Sequence, residues 1–150
     1  MWKIKLEEII EEKKLYGEKI NLGAREEELA GFKLCVKEEL HKDLPTEYID
    51  VLKLVNGLEF NGFILYGIDE VLLEKKPNQH INGLVSINQI WYENEDQKKY
   101  LFLGESNISW YVYDINIERY IELDNPSGRE MVVFKELDEM LDKILSDSLL

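Results

Sequence analysis

Sulfur crosslinks, membrane spans and secretion signals are the first features that this chain lacks. Cys35 is the only cysteine, so no disulfide can form within the chain. No apolar run reaches the roughly 18 residues that a membrane-spanning helix needs. The charged segment 1–8 also lacks the apolar stretch of a secretory signal. These absences predict a cytoplasmic protein that is not associated with a membrane.

The sequence is also poor in catalytic and metal-binding motifs. It contains no Gly-x-Gly pair for a phosphate loop, no Gly-x-Ser-x-Gly nucleophile turn and no His-Glu-x-x-His zinc motif. The two histidines, His41 and His80, lie far apart in polar segments, and with one cysteine they make a poor set of zinc ligands. The sequence therefore predicts no catalytic residues, no metal site, no cofactor and no enzymatic activity.

Positive charge is scarce as well. The chain has 18 Lys and Arg residues against 31 Asp and Glu residues, which gives a formal net charge of −13. Residues 101–150 hold 4 basic and 11 acidic side chains, so this last third alone carries −7. Such a surface repels nucleic-acid phosphates and anionic membranes, but it attracts a basic protein partner. A plainer interpretation stays open, namely that the acidity only keeps the protein soluble.

What the sequence does contain is enough for one domain, 1–150, with a substantial core. Asn61-Gly62 stands between two phenylalanines and predicts a tight hairpin. Helices come first, strands in the middle and a helix last, which predicts an α+β fold with a mostly antiparallel, or mixed, central sheet flanked by helices. The expected helices are 2–16, 25–41, one from Pro45 to Asn56-Gly57, 86–96 and 134–146, and the expected strands are 63–66, 100–104, 109–114 and 119–124.

Two groups of interleaved aromatic and acidic residues are candidates for contact with a partner. Trp and Tyr are common interface anchors because they bury a large area with few rotatable bonds. Along 109–114, strand alternation places Trp110 and Val112 on one face and two tyrosines on the other. A core role for Trp91 and Tyr92 fits their spacing equally well. The candidate partner-binding residues are Trp91, Tyr92, Glu93, Glu95, Asp96, Tyr111 and Tyr113.

A series of short motifs follows in order along residues 24–146. Leu44-Pro45 precedes Tyr48, and Asn56-Gly57 closes the helix that they open. Later, one strand runs into a glycine and a tyrosine-rich strand ends in an aspartate. This order and spacing resembles the SUKH superfamily of Smi- and Knr-like proteins, and the stretch 90–96 is similar to its YrhA-like branch. The signature positions are Leu44, Pro45, Tyr48, Asn56, Gly57, Gly104 and Asp114.

The resemblance implies an α+β fold in which the signature positions are structural and no catalytic residues are known. Many members are immunity proteins of bacterial polymorphic toxin systems, and they bind and block a toxin domain encoded beside them. Eukaryotic relatives act as interaction proteins in cell-wall regulation. The leading hypothesis is therefore an immunity protein that neutralises a toxin, and a basic nuclease suits the net charge. The alternatives are a small carboxylate-based hydrolase or ligand-binding protein, and a regulatory scaffold with a non-toxin partner.

Overall fold

A computed structural model describes all residues from Met1 to Leu150. It confirms an α+β architecture, with five α-helices and one six-stranded antiparallel sheet. The helices are α1 (Trp2–Leu15), α2 (Glu26–Leu40), α3 (Thr46–Leu54), α4 (Leu84–Trp91) and α5 (Leu137–Leu149). The strands are β1 (Leu58–Phe60), β2 (Phe63–Leu65), β3 (Tyr100–Glu105), β4 (Ser109–Asp114), β5 (Arg119–Asp124) and β6 (Glu130–Phe134), and short 3-10 turns span Glu70–Leu72 and Glu95–Lys99.

The six strands lie in the sheet in their order along the chain, and each pairs antiparallel with the next. The predicted hairpin is confirmed between β1 and β2, where Phe60 lies opposite Phe63. Its turn residues Asn61 and Gly62 have φ values of +50° and +84°. Two-residue hairpin turns need this left-handed conformation because it matches the twist of the strands, and Asn-Gly tolerates it best.

α3 ends earlier than the sequence predicts. The helix stops at Leu54, and the following Val55 is already extended. Asn56 is not available to continue or cap the helix, because its N–H donates to the Leu22 carbonyl at 3.1 Å. Its side-chain Oδ1 accepts the N–H of Ile68 at 2.8 Å. Asn56 therefore ties the chain after α3 to two other loops.

β6 is a strand that the sequence analysis does not predict. Its four consecutive apolar residues, Met131 to Phe134, give the sequence no alternation of polar and apolar side chains, although Val132 and Phe134 are more buried than the other two in the structure. The strand forms through pairing with β5, where Tyr120 lies opposite Phe134 and Ile121 lies opposite Val133. Tertiary pairing rather than a local pattern defines this element.

Lys13 occupies a buried position on α1, whereas the apolar Leu15 on the same helix is exposed. The Nζ of Lys13 donates to the carbonyl of Glu59 in β1 at 2.8 Å. This bond explains why a lysine can lie inside, because a buried ammonium needs acceptors to replace water. The apolar side of α1 thus includes one polar attachment to the sheet.

Tyr48 joins α3 to the sheet inside a cluster of 35 buried apolar residues. Its hydroxyl lies within hydrogen-bond distance of the carbonyls of Tyr66 and Leu103, the latter at 3.1 Å. Both carbonyls belong to the junction of β2 and β3. A side chain at Gly104 would place a Cβ 2.5 Å from the carbonyl oxygen of Ile64, so the close approach of these strands requires glycine.

Removal of the Tyr48 hydroxyl should destabilise the fold. The Leu103 carbonyl also accepts the N–H of Tyr66 at 2.9 Å, so in Tyr48→Phe the loss falls on the carbonyl of Tyr66. A buried acceptor left without a donor costs about 1–3 kcal/mol, and we expect the free energy of unfolding to fall by that amount in urea titrations. Tyr16→Phe is the control, because Tyr16 is 71% exposed. Equal stability of the two variants would contradict the role given to Tyr48.

Candidate protein-docking surfaces

The first candidate surface is the 91–96 patch, which runs from Trp91 at the end of α4 to Asp96 in the following 3-10 turn. The indole of Trp91 stacks on Phe102 with ring centroids 4.7 Å apart, and it meets Trp110 edge-on at the same distance. Such aromatic pairs contribute about 0.5–1.5 kcal/mol beyond their buried area. Trp91 is thus half-buried against the sheet, and only part of its surface is open to a partner.

Tyr92 is also half-buried, and its hydroxyl donates to the carbonyl of Tyr100. Burial raises the pKa of the Tyr92 phenol. The Lys42 ammonium lies 4.4 Å from the centre of the Tyr92 ring, and burial, with a further contribution from Lys98, lowers the pKa of Lys42. The aromatic part of this patch therefore already has a cation against it.

The acidic residues of the 91–96 patch are exposed but are matched by lysines. Glu93, Glu95 and Asp96 are all exposed, and Glu95 forms an ion pair of 2.9 Å with Lys98. Lys98 and Lys99 follow in the same 3-10 turn. The structure therefore brings the five predicted residues of this patch together on one segment, with little net negative charge.

The structure removes Tyr111 from the candidate contact residues. Only 2% of this residue is exposed. It lies in the middle of β4, between Gly104 of β3 and Glu122 of β5, and its hydroxyl contacts the Oγ of Ser106 at 3.4 Å. Alternation alone could not separate Tyr111 from Tyr113, because both point to the same side of the strand.

Tyr113 belongs to a second surface, which we call the tyrosine–carboxylate patch: Glu47, Tyr113, Glu118, Tyr120 and Glu136. The rings of Tyr113 and Tyr120 have centroids 4.8 Å apart, and the Tyr120 hydroxyl donates to Oε2 of Glu47. The three carboxylates are exposed, and none of them lies within 4.0 Å of a basic group. The neighbouring guanidinium of Arg119 donates to the backbone carbonyl of Glu118 instead of to a carboxylate.

The charges of this patch act on its tyrosines. Burial raises the pKa of Tyr113, and the nearby carboxylates of Glu118 and Glu47 raise it further. Burial likewise raises the pKa of Tyr120, with added contributions from Glu47 and then Glu136. A negative charge disfavours a neighbouring phenolate, so the carboxylates of this patch add to the shift that burial causes.

Sequence reasoning missed three members of this patch, Glu47, Glu118 and Glu136. They come from the start of α3, the β4–β5 turn and the residue before α5. Tyr120 and Glu47 are 73 positions apart in the chain. No local pattern signals such a grouping, so only the tertiary fold reveals it.

Three buried carboxylates serve the fold. Asp69 accepts hydrogen bonds from the N–H groups of Val85 and Ser86, at the first turn of α4. Asp114 accepts the N–H of Asn116 at 2.9 Å in the β4–β5 turn. A third, Glu122, accepts from the Ser109 hydroxyl at 2.6 Å and from the Lys143 ammonium at 2.8 Å. None of the three lines the polar cleft of about 660 Å³ beside the β1–β2 hairpin.

The remaining signature residues surround the third helix. Leu44 is buried, and Pro45 precedes the first residue of α3, where its fixed φ suits the helix start. Gly57 has a φ of +83°, and a Cβ there would lie 2.9 Å from the side chain of Ile81. These positions therefore shape the path of the chain between α3 and β1.

No group of three or more His, Cys, Asp or Glu side chains is placed to hold a metal ion. None of the helices combines the length and the apolar character that crossing a membrane requires.

A sequence model of the SMI1-KNR4 cell-wall family, SUKH_6, matches residues 35–149, which is most of the chain. The chain belongs to this family. No curated protein matches the chain. The SMI1-KNR4 match confirms the resemblance seen in the sequence, while membership of the YrhA-like branch stays a prediction. Both candidate surfaces lie within the SMI1-KNR4 region, whereas α1 and the first part of α2 precede it.

The tyrosine–carboxylate patch should make this SMI1-KNR4 protein sensitive to alkali. The folded pKa of Tyr120 is raised, so the stability linked to its proton is present below the unfolded pKa of about 10 and is lost as pH rises beyond it. Glu47→Gln removes one charge that raises this pKa. We expect the variant to lose less free energy of unfolding than the wild type between about pH 10 and the pH at which Tyr120 is ionised in both states.

Urea titrations at neutral and alkaline pH measure this difference. Glu8→Gln is the matched control, since Glu8 is exposed on α1 and its replacement should leave the total alkaline loss at the wild-type value. An identical total loss of stability in all three proteins would contradict the coupling between Glu47 and Tyr120.

Proposed function

We propose that this SMI1-KNR4 family member is a non-catalytic cytoplasmic protein that binds a basic toxin domain encoded beside it. Binding neutralises the toxin by occluding its active site. The proposal rests on family membership, on the net charge of −13 and on the tyrosine–carboxylate patch. The partner contact includes Tyr113 and the open surfaces of Trp91, Tyr92, Glu93, Glu95 and Asp96.

The tyrosine–carboxylate patch is the observation that carries the proposal. Glu47, Glu118 and Glu136 face solvent without an ion-pair partner in the chain, so a partner that brings Lys or Arg can neutralise them. Tyr113 is half-buried between them and offers an aromatic anchor. Complementary charge steers association and fixes register more than it adds affinity, which suits capture of a toxin soon after its synthesis.

A basic nuclease is the toxin class that fits this surface. Proteins that bind nucleic acid present Lys and Arg to the phosphates. An acidic domain that covers those side chains competes with the substrate for the same charges. The same acidity disfavours nucleic acid and anionic membranes as direct partners of this chain.

A carboxylate-based hydrolase is less well supported by the geometry. Such an enzyme needs a desolvated acid inside a cleft with converging polar groups. Asp69, Asp114 and Glu122 are desolvated, but each is bonded within the fold and lies away from the polar cleft. A regulatory scaffold with a non-toxin partner would use the same surfaces. Coexpression with the toxin domain distinguishes this alternative from the toxin hypothesis.

Coexpression of the protein with the toxin domain encoded beside it tests the proposal. The wild type should abolish toxicity and form a complex at low salt. In a triple variant, Glu47→Gln, Glu118→Gln and Glu136→Gln, we expect the dissociation constant to rise about tenfold, because each exposed ion pair contributes about 0.2–1 kcal/mol.

The matched control replaces three exposed glutamates of α1 that form no ion pair, Glu7→Gln, Glu8→Gln and Glu11→Gln. This control changes the net charge by the same amount but leaves the tyrosine–carboxylate patch intact. Its affinity should therefore stay near that of the wild type. Undiminished toxicity together with no complex at low salt would rule out the toxin as partner. A complex that both triple variants weaken equally would place the contact elsewhere.

A further inference from the structure

The two edges of the sheet differ in the hydrogen bonding of their outward backbone groups. At the β1 edge, hairpin geometry turns the Glu59 carbonyl away from β2, since its neighbour Phe60 forms the last hydrogen-bonded pair before the turn. Lys13 donates to that outward carbonyl at 2.8 Å, although only 1% of Lys13 is exposed. Asn61 donates to the Ser148 carbonyl in α5. A side chain of α1 thus occupies one backbone acceptor of this edge, and the adjoining turn is bonded to α5.

The β6 edge is open. β6 pairs only with β5, and its backbone forms no hydrogen bond beyond that strand. Alternate residues of such a strand direct N–H and C=O groups outward, where another strand can pair with them. Met131 and Val133 are 51% and 54% exposed, and β6 contains no proline that would block pairing. A register shift near Leu123 leaves Val132 to Phe134 regularly paired.

We propose that the open edge of β6 binds an extended strand of the protein partner, which adds to the sheet as a seventh strand. This inference rests on the proposed function, since it supplies the binding mode of the same basic partner. The unpaired backbone groups select an extended peptide, and Met131 and Val133 select apolar side chains at alternate positions. The net charge of −13 selects a segment with a positive balance.

A second copy of the chain is disfavoured at this edge in the two registers that centre on its valines. Antiparallel pairing about a two-fold axis at Val132 would set Arg129 of one copy opposite Lys135 of the other. Pairing about Val133 would set Glu130 opposite Glu136. Like charges directly opposite each other are destabilising, and each copy also carries −13. Charge therefore favours a different, basic chain.

Hydrogen exchange with a defined probe tests the proposal on the full chain. The probe is a short synthetic peptide of alternating valine and lysine, and the comparison peptide alternates valine and glutamate. At saturating basic peptide we expect exchange of β6 amides to slow about tenfold, with β1 amides unchanged. The acidic peptide should leave both edges unchanged.

A pair of variants with the same change in charge isolates the edge from the overall field. Val133→Lys places a charge on the open edge and should lower affinity for the basic peptide about tenfold, as natural edge strands use lysine to prevent pairing. Val71→Lys adds the same charge at a site that is 91% exposed and lies in the Glu70–Leu72 turn, so it should bind like the wild type.

The outcomes for the β6 edge site can be distinguished from those for the proposed toxin partner. Slowed β6 exchange and a selective effect of Val133→Lys support the proposal. Equal losses in both variants, or unchanged β6 exchange with bound peptide, overturn it. A toxin that is neutralised by the protein while β6 amides exchange freely also overturns the edge site, yet it leaves the proposed function intact. If the protein fails to neutralise the toxin while the peptide protects β6, the edge site is supported and the proposed function is overturned.

Discussion

Thirteen uncompensated negative charges are the constraint that the rest of this fold has to satisfy. Carboxylates that enter the interior are given donors, as Asp69 is by the first turn of α4 and Glu122 is by Lys143. Where lysines are near, as beside Glu95, charge is balanced locally. What remains is concentrated at places such as the tyrosine–carboxylate patch, where no cation of the chain reaches the carboxylates. These carboxylates therefore have no counter-charge within the chain.

Cations are correspondingly few, and the fold uses one of them inside. Lys13 lies at the β1 edge and donates a hydrogen bond to the outward carbonyl of Glu59. α1, which carries this lysine, precedes the residues that the SMI1-KNR4 family model matches. The opposite edge, β6, has no such bond. The two ends of the sheet are therefore unequal, and this asymmetry distinguishes a protected side from an available one.

Local chemistry made some of these features predictable and left others hidden. Asn61-Gly62 defined a hairpin because a two-residue turn has strict backbone demands, and the β4 limits, Ser109–Asp114, followed from its β-forming residues. β6 was not predicted because its pairing with β5, and not a pattern in its own residues, defines it. Tyr111 and Tyr113 share a face and both lie between two strands, yet Tyr111 in the middle of β4 is buried whereas Tyr113 near its end is only half-buried. Glu47 and Glu136 meet Tyr120 through the tertiary fold alone.

The central claim is that charge on this protein serves to hold a basic protein partner. The most direct measurement is the dissociation constant of the complex with the neighbouring toxin domain as ionic strength rises from about 0.1 to about 1 M, which shortens the Debye length from about 10 to about 3 Å. The account predicts that the dissociation constant rises steeply over this range. A dissociation constant that stays constant, or falls, would contradict it.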